Sequence, residues 1–288
     1  MSSHDAPSSQ QSLDLGRAGQ PLVRATPSRL ATYADCPRRY RMTYLDRPSP
    51  PRGPAWAHNT LGAAVHLALA RVWQLPPARR TPTVGGNLLE AAWQDDGFRD
   101  AAQSAGWRQR AREWVEREVA GADVDSEPAG VERTVAARTR VLALSGRIDR
   151  LDDRDGELVV VDYKTGRAAL TDDDARSSSA LALYAFAAGA TLRRRCLRVE
   201  LHAVRSGAIA VHEHSAESLT RQVRRADDIG SDIARNSAAL AAGGDPEELF
   251  PANPSGRCGW CDLRAHCPAG QQMSGPRQPW SGLGDDSG

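Results

Sequence analysis

The chain has 288 residues, of which 40% are hydrophobic and 5% aromatic, and its formal net charge is +1. This length suits one large domain or two modest ones. The near-neutral charge excludes a global positive field as the basis of nucleic-acid binding, so any such contact must come from local basic patches. The longest apolar run, ALALYAFAAGA, is too short to cross a bilayer and predicts a buried helix.

Both ends of the chain are polar. Residues 1–24 and 271–288 are rich in Ser, Gly, Gln and Asp and are predicted to be disordered. The N-terminal segment has no apolar stretch of the kind found in secretory signals. We therefore expect a cytoplasmic protein without membrane contact, whose cysteines stay reduced, with one ordered domain over residues 25–270.

Helices are predicted for the first part of this domain. Ser28 is a helix-start signal, and Pro37 should interrupt the helix that follows it. Residues 59–73 carry apolar side chains at helical spacing, and a similar pattern recurs around the tryptophans of residues 87–120. We interpret residues 75–130 as a helical insert.

Strand patterns begin at VERTVAART and continue through RVLALSGRIDRLD and ELVVVDYKTG, with the turn signal DDRDG between the last two. They predict three antiparallel strands in a meander. A helix from DDDARSSS to GATL, a hairpin from CLRVELHAV and AIAVHEHS, and a long polar helix complete the domain. This order predicts an α/β fold with a mixed central sheet flanked by helices.

One lysine stands out, because the other 36 basic residues are arginine. Lys164 follows Asp162 by two residues on a predicted strand, so both side chains should emerge on one face. Asp149 lies near the end of the preceding strand, and the hairpin should bring it within a few ångströms of Asp162. Carboxylates that close repel unless a cation lies between them, and hard oxygen ligands suit Mg²⁺ or Mn²⁺. Beside such an ion, a compact ammonium can hold a nucleophilic water, for which arginine is poorly suited.

The segments GRID and VVVDYKTG resemble the core of the PD-(D/E)XK nucleases, and the flanking sequence resembles the RecB-type exonuclease branch of that superfamily. The resemblance implies a restriction-endonuclease-like core. It also implies that His66, Asp149, Asp162 and the carbonyl group of Tyr163 bind the metal, and that Lys164 assists catalysis.

The resemblance covers most of residues 26–268 and departs from the family at one position. The family carries a glutamine-x-x-x-tyrosine motif on the helix after the lysine. Tyr184 matches the tyrosine and is expected to be catalytic, but Ala180 stands where the glutamine is expected. This difference should affect rate or substrate preference and should leave metal ligation intact.

Four of the five cysteines suggest a metal cluster. Cys258, Cys261 and Cys267 form a C-x₂-C-x₅-C pattern in the segment 250–270, and Cys36 lies far away near the start of the domain. The pattern resembles the iron–sulfur staple of AddB-type and CRISPR-associated members of the superfamily, which implies a [4Fe–4S] cluster on four thiolates. Structural zinc, which usually takes two close pairs of ligands, is the alternative.

Together these features predict a metal-dependent deoxyribonuclease, most simply a RecB-family exonuclease that acts on single strands or duplex ends in DNA repair or recombination. The chain has no P-loop, so any helicase partner would act in trans. Candidate phosphate contacts are the arginine-rich segments 38–41, 192–195 and 221–225. Candidates for base stacking are Tyr40, Tyr44 and Trp260.

Three other functions remain open at this stage. A CRISPR spacer-processing nuclease would use the same chemistry in another pathway. A catalytically silent iron–sulfur scaffold that binds DNA is disfavoured by the complete His–Asp–Asp–Lys set. A ferredoxin-like electron carrier is disfavoured by the wide separation of the cysteines along the chain.

Overall fold

The computed structural model describes residues 22–166 and 168–284, which form a central sheet with helices on both faces. The helices are α1 (Pro27–Asp35), α2 (Pro37–Tyr44), α3 (Ala57–Trp73), α4 (Pro82–Ala92), α5 (Ala101–Gly121), α6 (Asp172–Ser177), α7 (Ser179–Leu192), α8 (Ala216–Ala241), α9 (Pro246–Leu249) and α10 (Pro268–Met273). The strands are β1 (Val23–Ala25), β2 (Gly130–Arg138), β3 (Leu142–Arg154), β4 (Glu157–Lys164), β5 (Cys196–Ala203) and β6 (Ala208–Glu213).

The sheet is mixed. Its strands follow the order β1-β3-β4-β5-β6, and β2 pairs with β3 beside this path. Strands β2, β3 and β4 form an antiparallel meander, and β5 and β6 form an antiparallel hairpin. Parallel pairing joins β1 to β3 and β4 to β5. The predicted α/β fold with a mixed central sheet is confirmed, together with its meander and hairpin.

Each face of the sheet is covered by its own apolar core. Along β4, Leu158 and Val160 pack into the core that contains residues of α1, α7 and α8. Val159 and Val161 pack into the opposite core, which contains residues of α3, α4 and α5. Side chains alternate between the faces of a strand, and a strand buried on both faces is therefore continuously apolar. This explains the run LVVV, which leads directly into the DYK segment.

The segment 75–130, which was predicted as a helical insert, contributes to the second core. It contains α4 and α5, and Trp107 of α5 is only 1% exposed. These helices pack against α3, so they cover one face of the sheet as part of the domain. None of the helices in the described part of the chain combines the length and the apolar character needed to cross a bilayer.

The helix break at Pro37 is confirmed, but the first helix starts earlier in the sequence than its cap signal suggested. Thr26, two residues before Ser28, caps α1 by accepting a hydrogen bond from the backbone N–H of Arg29 at 3.2 Å. Cys36 is extended and separates α1 from α2. The first cysteine of the set therefore lies at a sharp junction between two helices.

The ends of the domain are more ordered than predicted. Val23–Ala25 pairs with β3, although disorder was expected through residue 24. In the segment 271–288, Leu283 is buried in the second core and Trp280 packs against it. These apolar side chains bury surface that would otherwise be exposed to water. Residues 1–21 and 285–288, which belong to these two segments, lie outside the described part of the chain.

Two glycines inside helices allow a test of the packing. An added Cβ at Gly230 in α8 would overlap Cδ2 of Leu142, which is fully buried in β3, whereas one at Gly106 in α5 would meet no atom within 4 Å. Alanine favours a helix over glycine by about 0.5–1 kcal/mol. Gly106→Ala should therefore raise the free energy of unfolding by about that amount.

Gly230→Ala should lower the free energy of unfolding, because forcing a methyl group into a packed core typically costs about 1–3 kcal/mol and outweighs the same helical gain. Urea denaturation of the two variants and the wild type measures both effects. Equal stabilisation by both substitutions would contradict the close approach of α8 to Leu142.

Candidate active site

An interruption in strand pairing positions the acidic residues. Strand β2 occupies one edge of β3 between residues 143 and 151, so β1 and β4 share the other edge, where they pair with residues 142–144 and 150–154. Among the described residues, no strand pairs with the part of that edge in between. Asp149 lies at the end of this gap, and continuing the β3–β4 register by one residue would place it opposite Asp162.

At this gap the carboxylate of Asp149, in place of a backbone carbonyl of β3, accepts the hydrogen bond from β4. Its Oδ2 accepts a hydrogen bond from the backbone N–H of Tyr163 at 3.0 Å and lies 3.2 Å from Nδ1 of His66, which projects from α3. Burial alone would raise the pKa of Asp149, but the hydrogen bond and charge of His66 and the N–H of Tyr163 outweigh it and lower the pKa. The same pairing raises the pKa of His66 against the opposing effect of burial.

Asp162 and Lys164 emerge from one face of β4, as the spacing predicted. Oδ2 of Asp162 is buried without a hydrogen bond of good geometry among the described residues, and it lies 2.5 Å from Nζ of Lys164. Burial is the main cause of a raised pKa at Asp162, Lys164 opposes it, and the charge of Asp149 adds to it. The pKa values of the two acids are therefore shifted in opposite directions, as often occurs when two carboxyl groups have different tasks in one site.

Tyr163 anchors the strand from the opposite face. Its buried hydroxyl accepts hydrogen bonds from Nε1 of Trp73 at 3.0 Å and from Nη1 of Arg150 at 2.9 Å. The guanidinium of Arg150 also lies 4.4 Å from the ring centroid of Trp73. Because a strand residue presents its N–H and its carbonyl to the same neighbour, the carbonyl of Tyr163 lies on the edge that faces Asp149.

Trp73 and Arg150 were not identified from the sequence. Arg150 belongs to the charged run RIDRLDDR, in which nothing distinguishes a buried arginine from an exposed one. Yet Arg150 is only 4% exposed, and its side chain also pairs with Asp152 at 2.9 Å. Both residues hold the strand that carries the acids and the lysine.

Tyr184 of α7 approaches the gap from the first core. An added Cβ at Gly146 would overlap its ring, so glycine at that position makes room for the tyrosine. Burial is the main cause of a raised pKa at the Tyr184 phenol, and the charges of Asp162 and Asp149 raise it further. The structure therefore brings Tyr184 together with the two acids.

The helix turn before Tyr184 contains Ala180, which lines a groove between α1, α7 and α8. In the same groove, Oγ of the neighbouring Ser179 donates a hydrogen bond to Oε1 of Gln222 at 3.1 Å, and Gln222 is 9% exposed. An amide side chain thus lies close to the position of the expected glutamine, but it comes from α8. No sequence pattern identified Gln222.

Four cysteines line one cavity between the α1–α2 junction and the C-terminal segment: Cys36, Cys258, Cys261 and Cys267. Three of the sulfurs accept hydrogen bonds from backbone N–H groups. These run from Asn253 to Cys36 at 3.5 Å, from Ser255 to Cys258 at 3.4 Å and from Gly270 to Cys267 at 3.4 Å. Nη1 of Arg38 lies 3.7 Å from Sγ of Cys267. The cavity thus combines four thiols with donors suited to negatively charged sulfur.

Two further residues lie apart from this cavity. Cys196 is buried at the start of β5, where burial raises the pKa of its thiol to about 12. His266 donates a hydrogen bond from Nε2 to the carbonyl of Pro51 at 3.0 Å and does not line the cavity. Within residues 22–166 and 168–284, no group of three His, Cys, Asp or Glu side chains is arranged as a ready metal cage. The side chains of the four cysteines, and those of His66, Asp149 and Asp162, would therefore need to adjust to ligate an ion.

The arginine-rich segments differ in their availability. In 38–41, Arg41 is buried and pairs with Glu247 at 3.1 Å. In 192–195, Arg194 contacts both carboxylate oxygens of Asp153, at 2.7 and 2.6 Å. By contrast, Arg225 is exposed, lines the groove beside Ala180 and has no ion-pair partner in the described part of the chain.

The stacking candidates also differ in exposure. Tyr40 is only 4% exposed and packs edge-on against Tyr33 in the first core. Tyr44 is partly covered by the guanidinium of Arg29, which lies 4.6 Å from its ring centroid. Trp260 is partly exposed and lines a pocket that also contains His66. Trp260 is therefore the best placed of the three to meet a substrate.

A family model matches most of the chain. The model of the PD-(D/E)XK nuclease superfamily matches residues 24–268, a span that includes both acids, the lysine and the four cysteines. A search of curated proteins finds no match to this chain. Since the family model covers most of the sequence, the chain belongs to the PD-(D/E)XK nuclease superfamily.

Proposed function

We propose that the protein is a metal-dependent deoxyribonuclease that hydrolyses phosphodiester bonds at the gap beside β3. The observation that carries this proposal is the contact of the Lys164 ammonium with Asp162 at this gap. The register of β3 and β4 places Asp149 at the same gap. Members of the superfamily are nucleases. The family match favours a nuclease over the electron-carrier alternative, and the intact set of charged residues argues against a silent scaffold.

The proposed metal ligands are His66, Asp149, Asp162 and the carbonyl of Tyr163. Carboxylate and carbonyl oxygens suit Mg²⁺ or Mn²⁺, and the buried oxygen of Asp162 has no hydrogen bond of good geometry to stabilise its charge. Bound there, a divalent cation supplies an activated water and a positive charge next to the phosphate. The present pairings of Asp149 with His66 and of Asp162 with Lys164 would loosen to admit it.

Lys164 provides a positive charge for the reaction. Its side chain is 49% exposed while its ammonium stays beside Asp162, so it can contact both a phosphate oxygen and an attacking water. A fixed donor aimed at developing negative charge stabilises the transition state. Tyr184, whose ring occupies the space left by Gly146, would orient the same phosphate through its hydroxyl.

We further propose that the enzyme is a RecB-type exonuclease acting on single strands or duplex ends, in DNA repair or recombination and with any helicase supplied in trans. The support is the likeness of GRID and VVVDYKTG to that branch and the absence of a second lysine for a P-loop. The exposed Arg225 and the partly exposed Trp260 offer a phosphate contact and a stacking surface.

We also propose that Cys36, Cys258, Cys261 and Cys267 hold a [4Fe–4S] cluster. Four thiolates are the usual ligands of such clusters, and hydrogen bonds to the sulfurs tune them. The backbone donors and Arg38 around this cavity fit that chemistry. The reduced thiols it requires are consistent with a cytoplasmic protein. Zinc on the same four residues is the alternative, and metal analysis separates the two.

Lys164→Met tests the catalytic proposal, because it keeps the aliphatic stem and removes the charge. The wild type should degrade end-labelled single- or double-stranded DNA with Mg²⁺ or Mn²⁺ and fail with EDTA. The variant should bind DNA but cut it about 10²–10³-fold more slowly, the usual effect of losing one transition-state donor.

The matched control is Arg176→Met, which removes a positive charge that is paired with Asp173 on α6, outside the site. It should cut at the wild-type rate. Cutting at the wild-type rate by Lys164→Met as well would refute the role assigned to the lysine.

Cys36→Ser tests the cluster. Anaerobically purified wild type should contain iron and acid-labile sulfide, and the variant should lose both and unfold at a lower temperature, because the link between the α1–α2 junction and the C-terminal segment would open. Cys196→Ala, which removes the buried thiol of β5, should retain full iron. A wild type with stoichiometric zinc and no iron would overturn the cluster assignment.

A further inference from the structure

A pocket with aromatic walls opens beside His66, between α3, α5, the residues that follow β4 and the C-terminal segment. We propose that this pocket binds an unpaired nucleobase of the strand being cut and thereby directs the enzyme to single-stranded DNA. The proposal rests on the nuclease function. The pocket has a volume of about 530 Å³, within the range of roughly 300–1,000 Å³ that is usual for small-molecule sites.

The pocket adjoins the catalytic gap on two sides. His66 lines it and also contacts Asp149 at 3.2 Å. Thr165, which directly follows Lys164, lines it as well, and an added Cβ at Gly62 of α3 would lie 3.2 Å from Oγ1 of Thr165. A group held in the pocket is therefore the immediate neighbour of a phosphate held at the gap.

One wall combines two indole rings with a guanidinium. The ring centroids of Trp107 and Trp114 are 6.1 Å apart, and the guanidinium of Arg205 lies 5.6 Å from the first and 5.7 Å from the second. Both indole rings are almost fully buried, at 1% and 7% exposed, so this wall offers a ligand mainly the guanidinium of Arg205, and arginine both stacks on planar rings and pairs with phosphate. The wall thus suits a nucleotide better than a purely apolar ligand.

Trp260 and His58 also line the pocket, and their ring centroids are 5.6 Å apart. Trp260 comes from the cysteine-bearing segment and carries the guanidinium of Arg277 at 4.6 Å from its centroid. A flat ligand that enters the pocket would find a partly exposed aromatic ring in Trp260. Among residues 22–166 and 168–284, none of those that line the pocket is an aspartate or a glutamate, so these walls place no negative side chain against the phosphates of a strand.

Two polar atoms in these walls need a partner. Nε1 of Trp107 and Nδ1 of His58 are buried and have no hydrogen-bond partner within the described residues. Burial lowers the pKa of His58, so its imidazole is neutral at physiological pH and can exchange hydrogen bonds in either sense. Unpaired buried polar atoms are costly, and both of these are closed off from solvent, so a nucleobase would reach them only after neighbouring side chains shift. In a duplex each base is stacked between its neighbours, so a pocket that accepts a base beside the catalytic gap selects an unpaired one.

Ala63→Phe tests the proposal by filling the pocket, since Ala63 is exposed on α3 and lines it. The matched control is Leu67→Phe, one turn further along α3, where the side chain is 42% exposed and outside the pocket wall. Trp260→Ala removes one wall, and its iron content shows whether the neighbouring cysteines are disturbed. All variants are compared as holoproteins.

The first measurement is binding in EDTA, by fluorescence anisotropy, of a labelled single strand and of an abasic strand of equal length. The wild type and Leu67→Phe should prefer the strand with bases by about tenfold or more, the usual effect of stacking. Ala63→Phe and Trp260→Ala should lose most of that preference. Equal binding of both strands by the wild type, or an unchanged preference in Ala63→Phe, would overturn the proposal.

The second measurement is cleavage with Mg²⁺ of strands in which a single abasic residue is moved along the sequence. The wild type should cut more slowly when the abasic residue occupies one fixed position relative to the cleavage site. The cleavage rate of Ala63→Phe should not depend on the position of the abasic residue. A base preference in binding without any cleavage would refute the nuclease function but retain the pocket. Cleavage that ignores every abasic position would retain the nuclease and refute the pocket.

Discussion

One carboxylate oxygen connects the three elements that build the site. Oδ2 of Asp149 contacts the backbone N–H of Tyr163 on β4 and the imidazole of His66 on α3, and Asp149 itself belongs to β3. The oxygen occupies the place of a main-chain acceptor, so β3 and β4 can separate without leaving a buried N–H unpaired, which would be costly. The open edge of the sheet, and with it the space for a phosphate, depends on this side-chain acceptor.

The charged residues of β4 are tolerated because the strand is held firmly elsewhere. Its apolar residues are buried in cores on both faces, and the hydroxyl of Tyr163 is fixed by Trp73 and Arg150. Rigid support of this kind keeps functional side chains in place. Asp162 can therefore remain buried beside Lys164 although burial opposes its charge. The packing of the sheet therefore offsets the free-energy cost of burying the Asp162 carboxylate.

Much of the fold followed from local patterns. Alternation along the strands predicted the meander, and the two-residue spacing placed Asp162 and Lys164 on one face. The hairpin also predicted that Asp149 lies near Asp162, and continuing the observed register by one residue places them opposite each other. These features depend on short-range geometry, which a sequence records directly. The family motif then assigned roles to residues whose types alone are ambiguous, as with His66.

Contacts between distant segments could not be predicted in this way. The bond from Trp73 to Tyr163 joins residues 90 positions apart, and Gln222 reaches the neighbourhood of Ala180 only because α8 packs on α7. Leu283 is one of only three large apolar residues in a polar tail, with Met273 and Trp280, so no periodicity marks it as part of a core. Ser28 and Thr26 are equally good caps, and only the backbone decides between them.

The almost complete replacement of lysine by arginine has a chemical consequence. Reagents and enzymes that acylate primary amines find only one side chain in this protein, the half-exposed amine of Lys164. Acetylation there would remove the charge and leave Asp162 without its counterion. Apart from the terminal amino group, amine-directed labelling, immobilisation or crosslinking of the protein would therefore be concentrated at its proposed catalytic centre, whereas in most proteins it is dispersed over the surface.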